Sequence, residues 1–288
     1  MHRLWREKPL GMVGAAITVV LLLSGILADL LAPYGMNEVF RRELLEKPSA
    51  KFWLGTDNFG RDIFSRIIYG ARISVVVGLS ASAIAAVSSA IVGIVSGYVG
   101  GRFDLWVQRL VDAWMSLPGL VLLIFMISVV GPGMLQLVVV LGLLLGIGGS
   151  RVIRSAVINI KENEYVAASV AVGSRTSELL WRHILPNIMA PIIVQFTTNA
   201  PQVILIEASL SFLGYGIPPP APSWGSMLGF NARRYMFQAW WMVVWPGVAL
   251  SVVVFGVNMF GDAVRDLLDP KLRGGAGRYG FRKRKAQR

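Results

Sequence analysis

The chain has 288 residues, a formal net charge of +12 and 55% hydrophobic residues against 15% charged, where an ordinary soluble domain carries about 25% charged residues. That balance, with a mean hydropathy of +0.60, excludes an ordinary soluble domain and makes lipid the main solvent. The absence of cysteine excludes disulfide scaffolds, thiolate metal sites and cysteine nucleophiles, and the distant pair His2 and His183 argues against a histidine metal centre.

Uncharged runs at residues 9–28, 73–101, 113–150, 183–206, 208–232 and 235–261 mark the spans, because a crossing helix needs about 20 apolar residues. The first follows Arg3, Arg6 and Lys8 but is longer than a signal core and lacks an A-x-A site, so it reads as a retained anchor over 9–31. Residues 32–72 form a loop of mixed charge, in which Asp57, Arg61 and Asp62 have no nucleophile beside them and read as ion pairing and capping. Within it, residues 62–69 predict a short interfacial helix. The second span, 73–98, spaces Gly78, Ser82, Ala86 and Ala90 four apart and carries Gly93-x-x-x-Gly97, a pattern that lets helix backbones approach closely; Gly142-x-x-x-Gly146 repeats it.

The 38-residue run 113–150 would be about 57 Å long as one helix, so it must turn. Gly131-Pro132-Gly133 supplies the reversal, giving spans at 105–130 and 134–152, with Arg109 and Asp112 paired at the start of the former. A fifth span covers 187–213. Beyond it Gly214, Gly216 and Pro218, Pro219, Pro220 and Pro222 exclude helix and predict a structured extramembrane loop before a sixth span at 239–262. Trp224, Trp240, Trp241 and Trp245 suit an aromatic belt. Placing both termini in the cytoplasm puts 19 of the 28 basic residues, and a net +10, on the inside, in keeping with the positive-inside rule. The tail "RKRKAQR" then attracts anionic headgroups rather than nucleic acid. The chain divides into 1–72, a five-helix core at 73–262 with an inner loop at 151–186, and a basic tail at 263–288.

That inner loop, "RVIRSAVINIKENEYVAASVAVGSRTSELLWRHILP", is helical in spacing up to Val172, breaks at Gly173-Ser174 and resumes. Ser174 is expected to cap the second helix, Leu179, Leu180, His183 and Ile184 to form its apolar face, and Pro186 to stop it. Such a segment either docks into a cytoplasmic partner or lies on the membrane surface.

At this loop the sequence resembles the permease subunits of binding-protein-dependent ABC importers, whose signature is E-A-A-x3-G-x9-I-x-L-P. Ala168, Gly173, Leu185 and Pro186 match it, while Ala167 stands for the glutamate and His183 for the isoleucine. "NEYVAASVAVGSRTSELLWRHILPN", "LGTDNFGRDIFSRIIYGARIS", "EASLSFLGYGIPPPAPSWGSML" and "GDAVRDLLDPKLR" resemble the dipeptide/oligopeptide branch, and its second, C-type permease in particular. The resemblance implies an all-α membrane protein with six transmembrane helices, the type I ABC importer permease fold and a cytoplasmic coupling helix, resident in the inner or plasma membrane. It implies a homologous second permease subunit, two ATPase subunits and an extracytoplasmic substrate-binding protein as partners. It places coupling at about Ser174 to Leu185, after a helix at Glu164 to Ala171, with Glu164, Ala167, Ala168, Gly173, Ser174, Leu179, Leu180, His183, Leu185 and Pro186 as its residues. Peptides are the implied cargo, although relatives import nickel chelates, oligosaccharides and other solutes.

No Gly-Lys dipeptide occurs, so a P-loop is absent and ATP and magnesium are expected on partner ATPase subunits; no catalytic, cofactor or metal site is expected in this chain. Glu207, near the outer end of the fifth span, is either a gate or pathway contact or a structural bond to the proline-rich loop. Asn199, beside Pro201, is a second pathway candidate. A self-contained ion-coupled carrier would need ionisable groups near mid-membrane, and only Glu207 comes close.

Overall fold

The computed structural model describes residues 9–268, all of whose regular elements are helices; the one ladder contact among them is an isolated antiparallel bridge between Thr56 and Asp62. Arg3, Arg6, Lys8 and the tail from residue 269 lie outside the described residues. Helix α1 (Pro9–Ile26) and the single turn α2 (Ala28–Leu31) form the first crossing. Helix α3 (Ile63–Val99) has 37 residues, about 55 Å of helix against a hydrocarbon core of about 30 Å. It absorbs the interfacial helix expected at 62–69 and crosses the expected boundary at 72. Asp62 explains the early start: extended at φ −67° and ψ 123°, it accepts hydrogen bonds from Ser65 N at 2.8 Å and Ser65 Oγ at 2.7 Å. Burial pushes the Asp62 carboxyl above its usual range, against the pull of those same bonds.

Gly100 and Gly101, with φ of 69° and 58°, reverse the chain into α4 (Gly101–Met115). The single span expected at 105–130 is instead two helices, α4 and α5 (Gly119–Val130), set at 91°. Pro118 causes the break, since it donates no hydrogen bond and pushes Leu117 out of the helical region. Phe103, Trp106 and Leu110 on α4 face outward, while its Val111 is buried. Helix α6 (Met134–Lys161), the short α7 (Glu164–Ala171) and α8 (Thr176–Leu179), and a π-helical turn (Leu180–Ile184) lead into α9 (Leu185–Leu213). After Gly214 ends α9 in the left-handed conformation, short α10 (Trp224–Met227) and α11 (Phe230–Tyr235) precede α12 (Trp241–Leu268). Helix α12 runs six residues past the expected end at 262, so the tail assigned from 263 begins as helix. Among the described residues five helices are long and apolar enough to cross a membrane, or six if the α4–α5 pair counts as one crossing, which makes this a multi-pass membrane protein.

Helix α3 is central because small residues let its neighbours close on it. A Cβ at Gly93 would stand 2.7 Å from Ser150 O and 2.8 Å from Ile153 Cβ, and one at Gly142 would stand 2.6 Å from Ile84 Cβ, so both small-residue motifs serve the α3–α6 seam. Gly14 meets Gly256 O and Phe260 N in the same way, joining α1 to α12. Ile73, Val77 and Ala81 of α3, Leu123 and Ile127 of α5, Leu137 and Leu141 of α6 and Val203 and Leu210 of α9 form one buried cluster. A second gathers α1, α3, α9 and α12 around Trp224.

The tryptophans expected to make a belt divide. Trp240 is exposed, but Trp224 and Trp241 are each 2% exposed and donate Nε1 to Ile67 O at 3.0 Å and Thr56 O at 3.1 Å. They pin segments far apart in sequence, and Gly70 is the gap in α3 that admits the Trp224 ring. The expected Arg109–Asp112 pair is a loose 4.0 Å contact between exposed side chains, because Asp112 bonds closely to Arg151 of α6 instead. Nearby, Asp104 of α4 takes Arg154 Nε at 2.6 Å and also binds Arg154 Nη2 and Ser96 Oγ, fastening α4 across the ends of α3 and α6.

Gly93→Leu is expected to cost about 1–3 kcal/mol or more through overpacking, seen as a lower melting temperature and loss of monodispersity of the purified chain. Asp104→Asn should cost roughly 1.5–3 kcal/mol, the usual range for hydrogen bonds to a charged group. Exchanging the charges, Asp104→Arg with Arg154→Asp, should recover part of it in a double-mutant cycle of thermal stability.

Candidate functional site

Residues 162–184 form an elbow at one end of the bundle; the loops 32–62 and 214–240 occupy the other. Helix α6 ends where the Asn163 side chain donates to Asn159 O at 3.1 Å and Ile160 O at 3.0 Å. Lys161 Nζ ties this corner to α3 by donating to Tyr98 O at 2.6 Å. Helix α7 has the expected bounds, with Glu164 in its first turn, where an acidic side chain favours the helix dipole. Gly173, at φ 84°, ends it: Ser174 N donates to Ser169 O at 3.1 Å and Gly173 N to Val170 O at 3.0 Å, the paired bonds of a Schellman motif. No atom lies within 4 Å of a Cβ built at Gly173, so backbone conformation alone calls for glycine there.

Beyond Gly173 the expected single helix over Ser174 to Leu185 is replaced by α8 and the π-helical turn. Ser174 does not cap it; Arg175 holds that position in an extended conformation with no side-chain bond, and Ser174 completes the preceding turn. Pro186 does not stop the helix either. It occupies the first turn of α9, where a missing N–H costs least, and the wider turn before it, closed by Leu185 N to Leu180 O, keeps the proline ring away from the Arg182 carbonyl.

The apolar face expected of Leu179, Leu180, His183 and Ile184 points into the bundle. Leu179 and Ile184 are buried, and Ile184 packs with Ile153, Val157 and Ile188, with Leu180 and Leu185 against them. His183 locks the elbow: its Nε2 lies 3.1 Å from Ser169 Oγ, its ring 5.8 Å from that of Tyr165, and its carbonyl accepts from Asn187 Nδ2 at 2.6 Å. Glu164, Ala167, Ala168, Gly173 and Pro186 are exposed. Two further residues that sequence reasoning did not select dominate the surface, Val172 at 83% exposed and Trp181 at 72%, with Val170 beside them. The signal was available, since Trp181 lies off the apolar stripe of its own helix.

The two pathway candidates lie apart from the elbow. Glu207 is 1% exposed and accepts from Ser211 Oγ at 2.7 Å, while Ser211 Oγ accepts from Ile217 N at 3.3 Å, so the carboxylate is linked through a hydroxyl to the proline-rich loop. No ion pair reaches it among the described residues. Asn199 lines a cavity of about 370 Å³ with Gln202, Gly148, Gly149 and Trp114, beside the α4–α5 bend. Pro201 does not unwind α9; Thr197 O, the carbonyl it leaves without its helical donor, lies against Gly261 of α12. Among the described residues no cluster of His, Cys, Asp or Glu could hold a metal ion.

Residues 89–274 match the family model for the binding-protein-dependent transport system inner membrane component. The chain is 38% identical over 269 residues to a di/tripeptide transport system permease protein of Pseudomonas aeruginosa (strain UCBPP-PA14), across 91% of this chain and 88% of that one. Two proteins of Bacillus subtilis (strain 168) are similarly near: a dipeptide transport system permease protein, 38% identical over 93% of this chain and 85% of its own, and an oligopeptide transport system permease protein, 36% identical over 93% and 88%. The family-model match contains all of α6, the whole elbow and the last turns of α3, with Gly93 and Gly97. With its multi-pass helical bundle, the chain belongs to the family of inner-membrane permease components of binding-protein-dependent ABC transport systems.

Proposed function

We propose that this permease forms half of a translocation pathway for dipeptides or oligopeptides, paired with a homologous permease and fed by an extracytoplasmic substrate-binding protein. The elbow is its contact with a pair of ATPase subunits, which hold ATP and magnesium; both termini and the elbow face the cytoplasm. The peptide assignment draws on the relatives named above, di/tripeptide, dipeptide and oligopeptide permeases at 36–38% identity.

One observation carries the coupling role: exposed Val172 and Trp181 sit on an elbow whose base, Ile153, Val157, Ile184 and Ile188, is fully buried. Apolar side chains displayed on a rigid mount suit a groove on a partner, since hot spots of association are enriched in tryptophan. The mount is continuous with α6 and α9, so movement imposed on the elbow by nucleotide-driven closure turns both helices about their contacts with α3. Ala167 and Ala168 on α7 border the same surface, while Leu179, Leu180, His183 and Leu185 act from beneath by holding its shape.

Trp181→Ala should weaken retention of the ATPase subunits on the purified permease by roughly tenfold or more, the effect of losing about 1.4 kcal/mol or more; retention equal to the parent would sink the docking role. Gly173→Asp forces a side chain into the left-handed region at about 1–2 kcal/mol. It should lower transport and substrate-stimulated ATPase activity in reconstituted vesicles while the affinity for the binding protein stays unchanged. Normal stimulated ATPase activity in that variant would remove the elbow from the coupling path.

A further inference from the structure

At the end opposite the elbow, a cavity of about 310 Å³ lies between the turn at 57–61 and the proline-rich segment. Arg66 of α3 lines it and is only 5% exposed. A guanidinium has five N–H donors, and this one has a neutral partner: Nη1 donates to Met36 O at 2.8 Å. No carboxylate pairs with it among the described residues. The acids nearby direct the hydrogen bonds they make elsewhere, and Asp62 Oδ1 is buried without a hydrogen-bond partner among the described residues. Asp57 Oδ2 takes Arg61 Nε at 2.7 Å, and its Oδ1 accepts from the backbone of Phe59 at 2.8 Å and of Arg61 at 3.0 Å. Asp62 turns Oδ2 to Ser65 as the helix cap.

The cavity wall therefore carries Asp57, Arg61 and Arg66 with one positive charge left over. Withdrawing a guanidinium from water is unfavourable unless an anion and its hydrogen bonds replace the lost hydration. One unbalanced charge calls for a single carboxylate, and the remaining wall, with Ile63, Pro220 and Met242, suits an organic body. Asn231 and Ser226 add amide and hydroxyl groups to the lining.

We propose that this cavity is a carboxylate-binding site, in which Arg66 grips both oxygens of a monocarboxylate and the apolar wall accommodates the group that bears it. The site is separate from the elbow and from the cavity that Asn199 lines, and it does not depend on the identity of the transported solute. The carboxylate has two sources, the free terminus of a small peptide or an acidic side chain, and these differ in whether the neighbouring amide is recognised.

The test titrates the full chain in lipid nanodiscs with dialanine, dialanine amide and acetate, read by calorimetry. Saturable binding of dialanine at least tenfold tighter than of its amide is expected. Acetate binding as tightly as dialanine indicates a site that reads the carboxylate alone, as a side chain would present it; dialanine binding more tightly than acetate indicates peptide recognition. Arg66→Gln should abolish binding. Because that variant also releases Met36, Asn231→Asp provides an independent arm: Asn231 is exposed and lines the same cavity, and a carboxylate placed there supplies the negative charge that the wall lacks, so binding falls at least tenfold with the melting temperature unchanged or raised. Equal binding of dialanine and its amide, no binding of either carboxylate, or parent-like affinity in a folded Asn231→Asp variant would overturn the proposal.

Discussion

Backbone-to-backbone approach between α3 and α6 is the constraint on which the rest of the molecule depends. In lipid there is little hydrophobic gain from bringing two apolar helices together, so the drive is close packing, which requires missing side chains. Gly93 and Gly97 of α3 and Gly142 and Gly146 of α6 provide that space at two levels of one seam. With α6 held against α3, its far end carries the elbow in a defined place. The Asp104–Arg154 and Lys161–Tyr98 contacts then fasten the corner where α3, α4 and α6 meet.

Helix α3 extends beyond the membrane thickness, and its two ends do different work. Its first turn begins at the Asp62 cap and includes Arg66, beside the loops that Trp224 and Trp241 pin down. Its last turn receives Lys161 from the base of the elbow. Glu207 is linked to the proline-rich loop through Ser211, so buried polarity in α9 helps to hold that loop against the bundle.

Much of this was legible in the sequence, for identifiable reasons. Uncharged runs report the cost of placing charge in lipid, and they located the crossings; Gly173 marked the elbow because a left-handed residue there needs glycine. The bend at Pro118 escaped because counting charges is blind to a missing backbone donor. Pro186 misled in the opposite direction: a proline in the first turn of a helix continues it. The Asp104–Arg154 pair spans 50 positions and has no local signature. Trp224 and Trp241 suited a membrane belt by composition, while the carbonyls they bond, Ile67 O and Thr56 O, were fixed only by the tertiary structure.

The π-helical turn at Leu180–Ile184 makes segment length a constrained quantity. It inserts one residue relative to an α-turn, which advances every later side chain by about 100° around the axis. Trp181 thus faces outward while Ile184 and Ile188 face the core, and the phase between them is set by residue number more than by residue type. Substitutions along this stretch leave that phase alone; a single insertion or deletion rotates the whole of α9 relative to the elbow.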